Sequence, residues 1–375
     1  MMNERIAQHE YYSRPDDQKY GSVDALRAAA LTDKTEGATA RLYTRDIRIA
    51  PAPDPRAGLH LIGPTGTAAE MTPWAFGQLC SYLQAPRDYI RRQAPELAAA
   101  CLNADAARAH RIGPNGDDDR GFREDHKLLL RMRGDQAPIV RAITSQKYRR
   151  LWDVDLIDIV NQTRATRPAL DLPPIWEGGK GGAYRSDRDM FLLLTDGGSI
   201  VNDPTVRNGD GSMYRGLIVT NSETGARPCR IRAFWFRTIC GNLLLTGTEQ
   251  VIDFNRRHVG RHFESDVARA LRQSARWLER PESEDRRLID AAIATPIGAS
   301  EQDAIENLTR WLKIPESTAS AAMRAATANE ANPRTIWGAF NGLTRISQDS
   351  THFADRLELD SLAARLMQRV KVAAA

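Results

Sequence analysis

Only three residues, Asp135, Gln136 and Ala137, separate Gly134 from Pro138, and a strand-like run stands on either side: HKLLLRMRG (126–134) and PIVRAIT (138–144). A link that short joins two extended segments side by side and antiparallel, as a hairpin. A helical stretch follows, DVDLIDIVNQTR (153–164), with Val154, Ile157 and Val160 on one face and Asp153 as its cap. Then come three more strand candidates, MFLLLTD (190–196), MYRGLIVTNS (213–222) and CRIRAFWFRTIC (229–240). Strand, strand, helix and three strands in that order argue against a doubly wound parallel sheet, which alternates its elements. The expected class is α+β, a central antiparallel sheet with helices on one side, followed by an all-helical C-terminal region.

The helical region is residues 263–375. Six segments there, from FESDVARALRQSARWLER to LDSLAARLMQRV, repeat apolar residues every three to four positions, and most begin with Ser, Asp or Asn. Trp277, Trp311 and Trp337 are its large apolar anchors. A chain of 375 residues suggests two or three domains, or one large α+β unit with appendages. The expected division is an N-terminal extension over 1–60, an α+β core domain over 61–262 and the helical domain over 263–375. In the extension a helix is expected over 23–30 and a strand over 41–49, and PAPDPRAG (51–58) reads as a linker because its prolines cannot donate to a sheet. In the core, Thr72 caps a helix with Pro73 at its first position, and Pro95 starts an alanine-rich one. No repeat of fixed period is present, which argues against a solenoid.

Composition narrows the class further. Hydrophobic residues make up 42% and charged residues 27%, as in ordinary globular proteins, and mean hydropathy is −0.48. No stretch approaches the roughly 18 apolar residues of a membrane span. The N-terminal residues lack the apolar core of a secretory signal, and the four cysteines, at 80, 101, 229 and 240, are too scattered for a disulfide framework. The expected compartment is the reducing cytoplasm. The net charge of +4 hides an uneven distribution. Residues 131–150 hold six cations (Arg131, Arg133, Arg141, Lys147, Arg149, Arg150) against Asp135, and 227–262 hold seven (Arg227, Arg230, Arg232, Arg237, Arg256, Arg257, Arg261) against Glu249 and Asp253. The stretch 281–375 carries 11 basic and 13 acidic residues. The central surplus attracts polyanions.

Most motif-like features resolve to bland chemistry. GGKGG (178–182) lacks the spacing and the hydroxyl residue of a phosphate loop, and GPTGT (63–67) lacks the lysine; both read as turns. His258 and His262 stand at metal-ligand spacing, but Val259 replaces the expected glutamate and Arg257 and Arg261 flank them. Asp153, Asp155 and Asp158 could hold a divalent metal, or could simply suit a helix N-terminus. Cys229 and Cys240 form no CxxC pair and read as buried thiols. In the strand at 229–240, Arg230, Arg232, Phe234 and Phe236 alternate with Ile231, Ala233, Trp235 and Arg237. Arginines among aromatics on a sheet face suit single-stranded nucleic acid; the same rings would equally fill a core.

An ordered set of pieces carries a resemblance: YLQAPRDYIRRQAPELAAACLN (82–103), LLRMRG (129–134), VRAITSQKYRRLWDVDLIDIV (140–160), MFLLLTD, VTNSETG (219–225), RAFWFRTICGNLL (232–244), RRHVGRH (256–262) and TIWGAFNGLTRIS (335–347). The chain resembles the phage/plasmid-like domain-of-unknown-function 932 family over about residues 70–370, departing at Leu243, where glycine is expected. The resemblance implies a prophage or plasmid context, hence nucleic-acid transactions, and the element order is similar to the core of phage single-strand annealing recombinases. The expected function is single-stranded nucleic-acid binding in DNA annealing or as a recombination accessory, without a cofactor. The expected partners are nucleic acid, single-stranded DNA foremost, and further copies of the chain, with no membrane. The expected contacts form one basic groove: Arg141, Lys147, Tyr148, Arg149, Arg150, Arg230, Arg232, Arg237, Arg256, Arg257, His258 and Arg261. Two other classes stand beside it: a metal-dependent nuclease or nucleotide-acting enzyme using Asp153, Asp155, Asp158 and His258, and an interaction protein that blocks a host factor through its helical tail.

Overall fold

The computed structural model describes residues 14–43, 46–53, 58–63, 66–111, 125–173, 181–202, 212–237, 242–244 and 253–349, with 359, 362–363, 365–367 and 369–370. Its first half runs β1 (Lys19–Tyr20), α1 (Val23–Thr35), β2 (Gly37–Tyr43), β3 (Arg48–Pro51), β4 (Leu59–Ile62), β5 (Ala68–Met71), α2 (Pro73–Tyr82), α3 (Arg87–Ile90), α4 (Pro95–Arg111), β6 (Asp125–Arg133) and β7 (Gln136–Ser145). The second half runs α5 (Asp153–Thr166), β8 (Leu170–Asp171), β9 (Ala183–Arg185), β10 (Met190–Asn202), β11 (Ser212–Asn221), β12 (Cys229–Arg237), β13 (Asn242–Leu244) and β14 (Asp253–Arg256). Five helices complete it: α6 (Phe263–Leu278), α7 (Glu282–Ala294), α8 (Glu301–Leu312), α9 (Glu316–Asn329) and α10 (Ile336–Asp349).

The class is α+β, as the element order requires, but the strands form two sheets. A six-stranded sheet has the order β2-β6-β7-β5-β4-β3, antiparallel except for the parallel pair β5 and β7. An eight-stranded sheet has the path β1-β9-β10-β11-β12-β13, with β14 also on β12 and β8 also on β10, and every pair is antiparallel. The expected boundary at residue 60 cuts across the first sheet, because β2 pairs with β6 and β3 with β4. Among the described residues before 60, β2 and β3 are thus strands of the six-stranded sheet rather than parts of an extension.

The hairpin predicted from the short link at 135–137 is present and tighter than expected. β7 begins at Gln136, opposite Arg133, so Gly134 and Asp135 alone make the turn, with Gly134 at φ 59°. Pro138 therefore lies inside a strand. It falls where the register shifts between Arg131 and Arg133 and pairs with no residue of β6, which is where a strand accommodates a proline. A second shift sets Leu129 opposite Ala142 and Leu130 opposite Val140, leaving Arg141 as the extra residue of a bulge. The helix expected over 23–30 runs on to Thr35, and in place of one strand over 41–49 there are two, β2 and β3, while two helix starts show clear capping chemistry. Thr72 Oγ1 accepts from Ala75 N at 3.1 Å, with Pro73 behind it. Ser300 and Asp303 form a reciprocal capping box at α8.

Each sheet carries helices. The six-stranded sheet buries Leu42, Ile49, Leu61, Val140 and Ile143 against α2, α3 and α4. The eight-stranded sheet buries Leu192, Leu194, Leu217, Val219, Ile231 and Ala233 under α1, α5 and the C-terminal helices. The tail is therefore docked and its apolar faces are consumed: Trp277 and Trp337 are buried, and Trp311 is half-buried beneath Arg369. Arg215 of β11, fully buried, fastens it. Its guanidinium pairs with Asp285 of α7 at 2.8 Å and donates to the Pro281 carbonyl at 3.2 Å and to the Leu278 carbonyl at 2.9 Å, an acceptor at the end of α6.

Helices α9 and α10 approach at backbone distance. A Cβ added at Gly342 would lie 2.1 Å from the Ala322 carbonyl oxygen. Gly342→Ala should therefore destabilise the chain by about 1–3 kcal/mol or more, as overpacking does, whereas Gly21→Ala, where nothing lies within 4 Å, should move stability by less than about 0.5 kcal/mol. Urea unfolding midpoints of the two variants check this.

Candidate functional site

The two sheets meet at a buried ionic cluster. Glu223, in the turn after β11, is 1% exposed. Its Oε2 accepts from Arg141 Nη1 at 2.8 Å and Arg150 Nη2 at 3.1 Å, and its Oε1 accepts the backbone N–H of Asp153 at 3.0 Å. The last bond caps the N-terminus of α5 with a carboxylate from another element, where a negative charge is favoured. Arg185 of β9 spans the cluster, with Nε on Asp153 Oδ2 at 2.8 Å and Nη2 on Asp33 Oδ2 at 2.7 Å. Asn221 donates to Asp153 Oδ1 at 2.7 Å and to the Leu151 carbonyl at 2.9 Å. Three carboxylates (Asp33, Asp153, Glu223) thus face three guanidiniums (Arg141, Arg150, Arg185), all buried or nearly so.

The electrostatics follow from burial and pairing. Burial alone would raise the Glu223 carboxyl, but Arg141, Arg185 and Arg150 outweigh it and hold it low. Asp33 is lowered in the same way by Arg185 and Arg141. Asp153 is pushed up to about 6 by burial and by the neighbouring Glu223 charge. Both amide hydrogens of Asn221 point to oxygens, so its Oδ1 is the acceptor for His258 Nε2 at 2.8 Å, and His258 carries its proton on Nε2. Burial lowers His258 to about 4, so the ring is neutral at pH 7. It packs between Tyr148 and Phe263, with ring centroids 5.4 and 4.8 Å away.

This geometry corrects part of the expected groove. Arg141 and Arg150 are turned inward onto Glu223, because the bulge aims Arg141 at the junction. Tyr148 is buried, its hydroxyl donating to the Ser222 carbonyl at 2.8 Å, and His258 is buried and neutral. None of these four can meet a phosphate. His258 and His262 also fail to share a helix, since α6 begins at Phe263. Asp153 does not cap α5 with its side chain. Asp155 is bound to Lys34 and Asp158 to Arg27, so the three acids are partners of three different cations. Among the described residues no group of three or more His, Cys, Asp or Glu could hold a metal. Burial raises the Cys80 thiol to about 11 and Cys229 to about 12, which leaves both protonated at neutral pH.

The remaining cations divide. Tyr148 and Val259 form an antiparallel β-bridge, and Arg149 N donates to the His258 carbonyl at 2.8 Å. Two basic segments distant in sequence are thereby set side by side, with Lys147, Arg149, Arg257 and Arg261 exposed. Arg256 is exposed too but bound to Asp266. Arg230 and Arg232 lie elsewhere, half-buried on the face of β12 opposite the helices, level with Thr220 and Ile218. The backbone of Arg237 belongs to β12, and its side chain, those of Phe234, Trp235 and Phe236, and Cys240 lie outside the described residues.

Beside the bridge a cleft of about 540 Å³ opens between the sheets, lined by Gln78, Tyr82, Thr144 and Tyr148 from one side and by Gly225–Pro228, Arg257 and His258 from the other. Sequence reasoning missed Glu223, Asp33, Arg185, Asn221 and Thr144. Glu223 and Asn221 carried a signal as members of the piece VTNSETG, and Thr144 as a member of the piece at 140–160; nothing in the sequence marks an acid as buried.

The model of the family described as Domain of unknown function (DUF932) matches residues 175–358, from just before β9 to beyond α10. The pieces at 82–103, 129–134 and 140–160 fall outside that match. No curated protein and no solved structure matches the chain.

Glu223→Gln should destabilise the fold by about 3–5 kcal/mol, because three buried guanidiniums lose their common counter-charge; denaturant unfolding measures it. The pH dependence has a defined sign at His258. The unfolded ring takes a proton near pH 6.5 and the folded ring resists until about 4, so its contribution is complete above 6.5 and is lost as pH falls towards 4. Between pH 7 and pH 5 the native chain should lose about 2 kcal/mol more than His258→Gln. Asp153, shifted upward, acts in the opposite sense over about 3.8 to 6, and equally in both proteins.

Proposed function

We propose, for a chain that belongs through residues 175–358 to the domain-of-unknown-function 932 family, that it binds single-stranded nucleic acid along the rim formed by Lys147, Arg149, Arg257 and Arg261. Strand annealing, or an accessory step in recombination on a prophage or plasmid, is the activity this binding would serve. The observation that carries the reading is the Tyr148–Val259 bridge. It sets exposed cations from two segments side by side, with Arg257 also lining the cleft, while the inward arginines are neutralised by carboxylates. Burial and the Arg149 charge lower the Lys127 ammonium beside this rim, as expected where cations crowd. Single strands are the favoured form because a cleft with aromatic walls accepts unstacked bases.

A metal-dependent nuclease finds less support, because its candidate acids are held by Arg185, Lys34 and Arg27. A host-factor surface on the tail finds less as well. The large apolar side chains exposed among the described residues are Leu31, Tyr89, Leu97, Met132 and Val259, none of them on α6–α10.

If the four rim cations each meet a phosphate, log affinity for a single strand should fall with log salt at a slope of about −3, and each cation removed should reduce it by about 0.7. Arg149→Ala should show this loss and change stability by less than about 0.5 kcal/mol. Arg150→Ala should instead lower the unfolding midpoint. A slope near zero, or one that Arg149→Ala leaves untouched, sinks the reading.

A further inference from the structure

The cleft beside the bridge has a composition of its own. Its ionic lining residues are Arg227 and Arg257, with no carboxylate among them. Arg227 is engaged by Asp189 at 2.9 Å, whereas Arg257 is exposed and has no ion pair among the described residues. Tyr82, stacked on His126 at 4.2 Å, and Tyr148 supply flat apolar surface. Thr144 also lines the cleft. It is 4% exposed, yet its hydroxyl has no hydrogen-bond partner. A buried hydroxyl without a partner lowers stability, and such orphans mark places where something else completes the bond. The volume, about 540 Å³, lies in the range of sites that enclose one small molecule.

We propose that this cleft is a subsite for one nucleotide unit, its phosphate on Arg257, its base against the Tyr82 wall and a polar edge of the base completing the Thr144 hydroxyl. A nucleotide combines the three features the lining asks for: negative charge, a planar ring and hydrogen-bonding edges. The subsite deepens the strand-binding reading, since it opens at the same rim, but a free mononucleotide would satisfy the same chemistry, and the two sources are separable.

The test is calorimetric titration of the full chain with thymidine monophosphate and, separately, with a short oligothymidylate, using the native chain, Thr144→Val and Arg257→Gln. The expected result is that the mononucleotide binds, about fivefold more weakly to Thr144→Val and about tenfold more weakly to Arg257→Gln. The melting temperature of unliganded Thr144→Val should be unchanged or higher, because valine keeps the shape and removes the orphan hydroxyl. A Thr144→Val chain that binds the mononucleotide as the native one does, or that melts lower, overturns the subsite. If the oligonucleotide binds and the mononucleotide does not, the subsite is wrong and the rim reading stands. If the mononucleotide binds and the oligonucleotide does not, the subsite stands for a free nucleotide and the rim reading falls.

Discussion

A carboxylate buried as deeply as Glu223 is tolerated only when cations and hydrogen bonds surround it, since the desolvation penalty amounts to several kcal/mol per ion. Here the compensation comes from separate parts of the chain: Arg141 from the six-stranded sheet, Arg185 from the eight-stranded sheet, Arg150 from the connection between them, and the first N–H of α5. The two sheets cannot part without stranding charge in a low-dielectric interior. The cluster therefore sets how the sheets meet, and everything at their junction inherits its geometry from it, including the cleft and the bridge beside it.

The same cluster sorts the arginines. With Asp33, Asp153 and Glu223 set against Arg141, Arg150 and Arg185, the interior is close to neutral and exerts little field at the surface. Of the cations in the central sequence the cluster withdraws Arg141 and Arg150, whereas Lys147, Arg149, Arg257 and Arg261 stand exposed on the two segments that the bridge joins. The neutral His258, fixed by Asn221, supports the bridge from beneath without adding charge.

The C-terminal helices depend on a further buried guanidinium. Arg215 reaches from β11 to the Leu278 and Pro281 carbonyls and to Asp285, so the tail is held by directed bonds as well as by apolar area. This arrangement leaves the opposite face of the eight-stranded sheet, where Tyr184, Phe191 and Leu193 cluster, as a separate environment for Arg230 and Arg232.

The sequence by itself determined the local elements: the hairpin, from its short link; α5, from the spacing of Val154, Ile157 and Val160; the start of α2, from Thr72 and Pro73; and the alternation that puts Arg230 and Arg232 on one face of β12 and Ile231 and Ala233 on the other. These follow from backbone periodicity, capping and turn chemistry, which act over a few residues. The ordered pieces also pointed to the family, although its model matches only the part from 175 to 358. Only the tertiary structure decided that there are two sheets, that β2 and β3 belong to one of them, and which arginines face solvent. The reason is that an ion's fate depends on its partner. Arg149 and Arg150 are adjacent and chemically identical, yet Glu223, more than 70 positions away, draws one inward and leaves the other at the rim. A one-residue bulge does the same for Arg141. Neither the bulge nor the pairing leaves a trace in composition or periodicity.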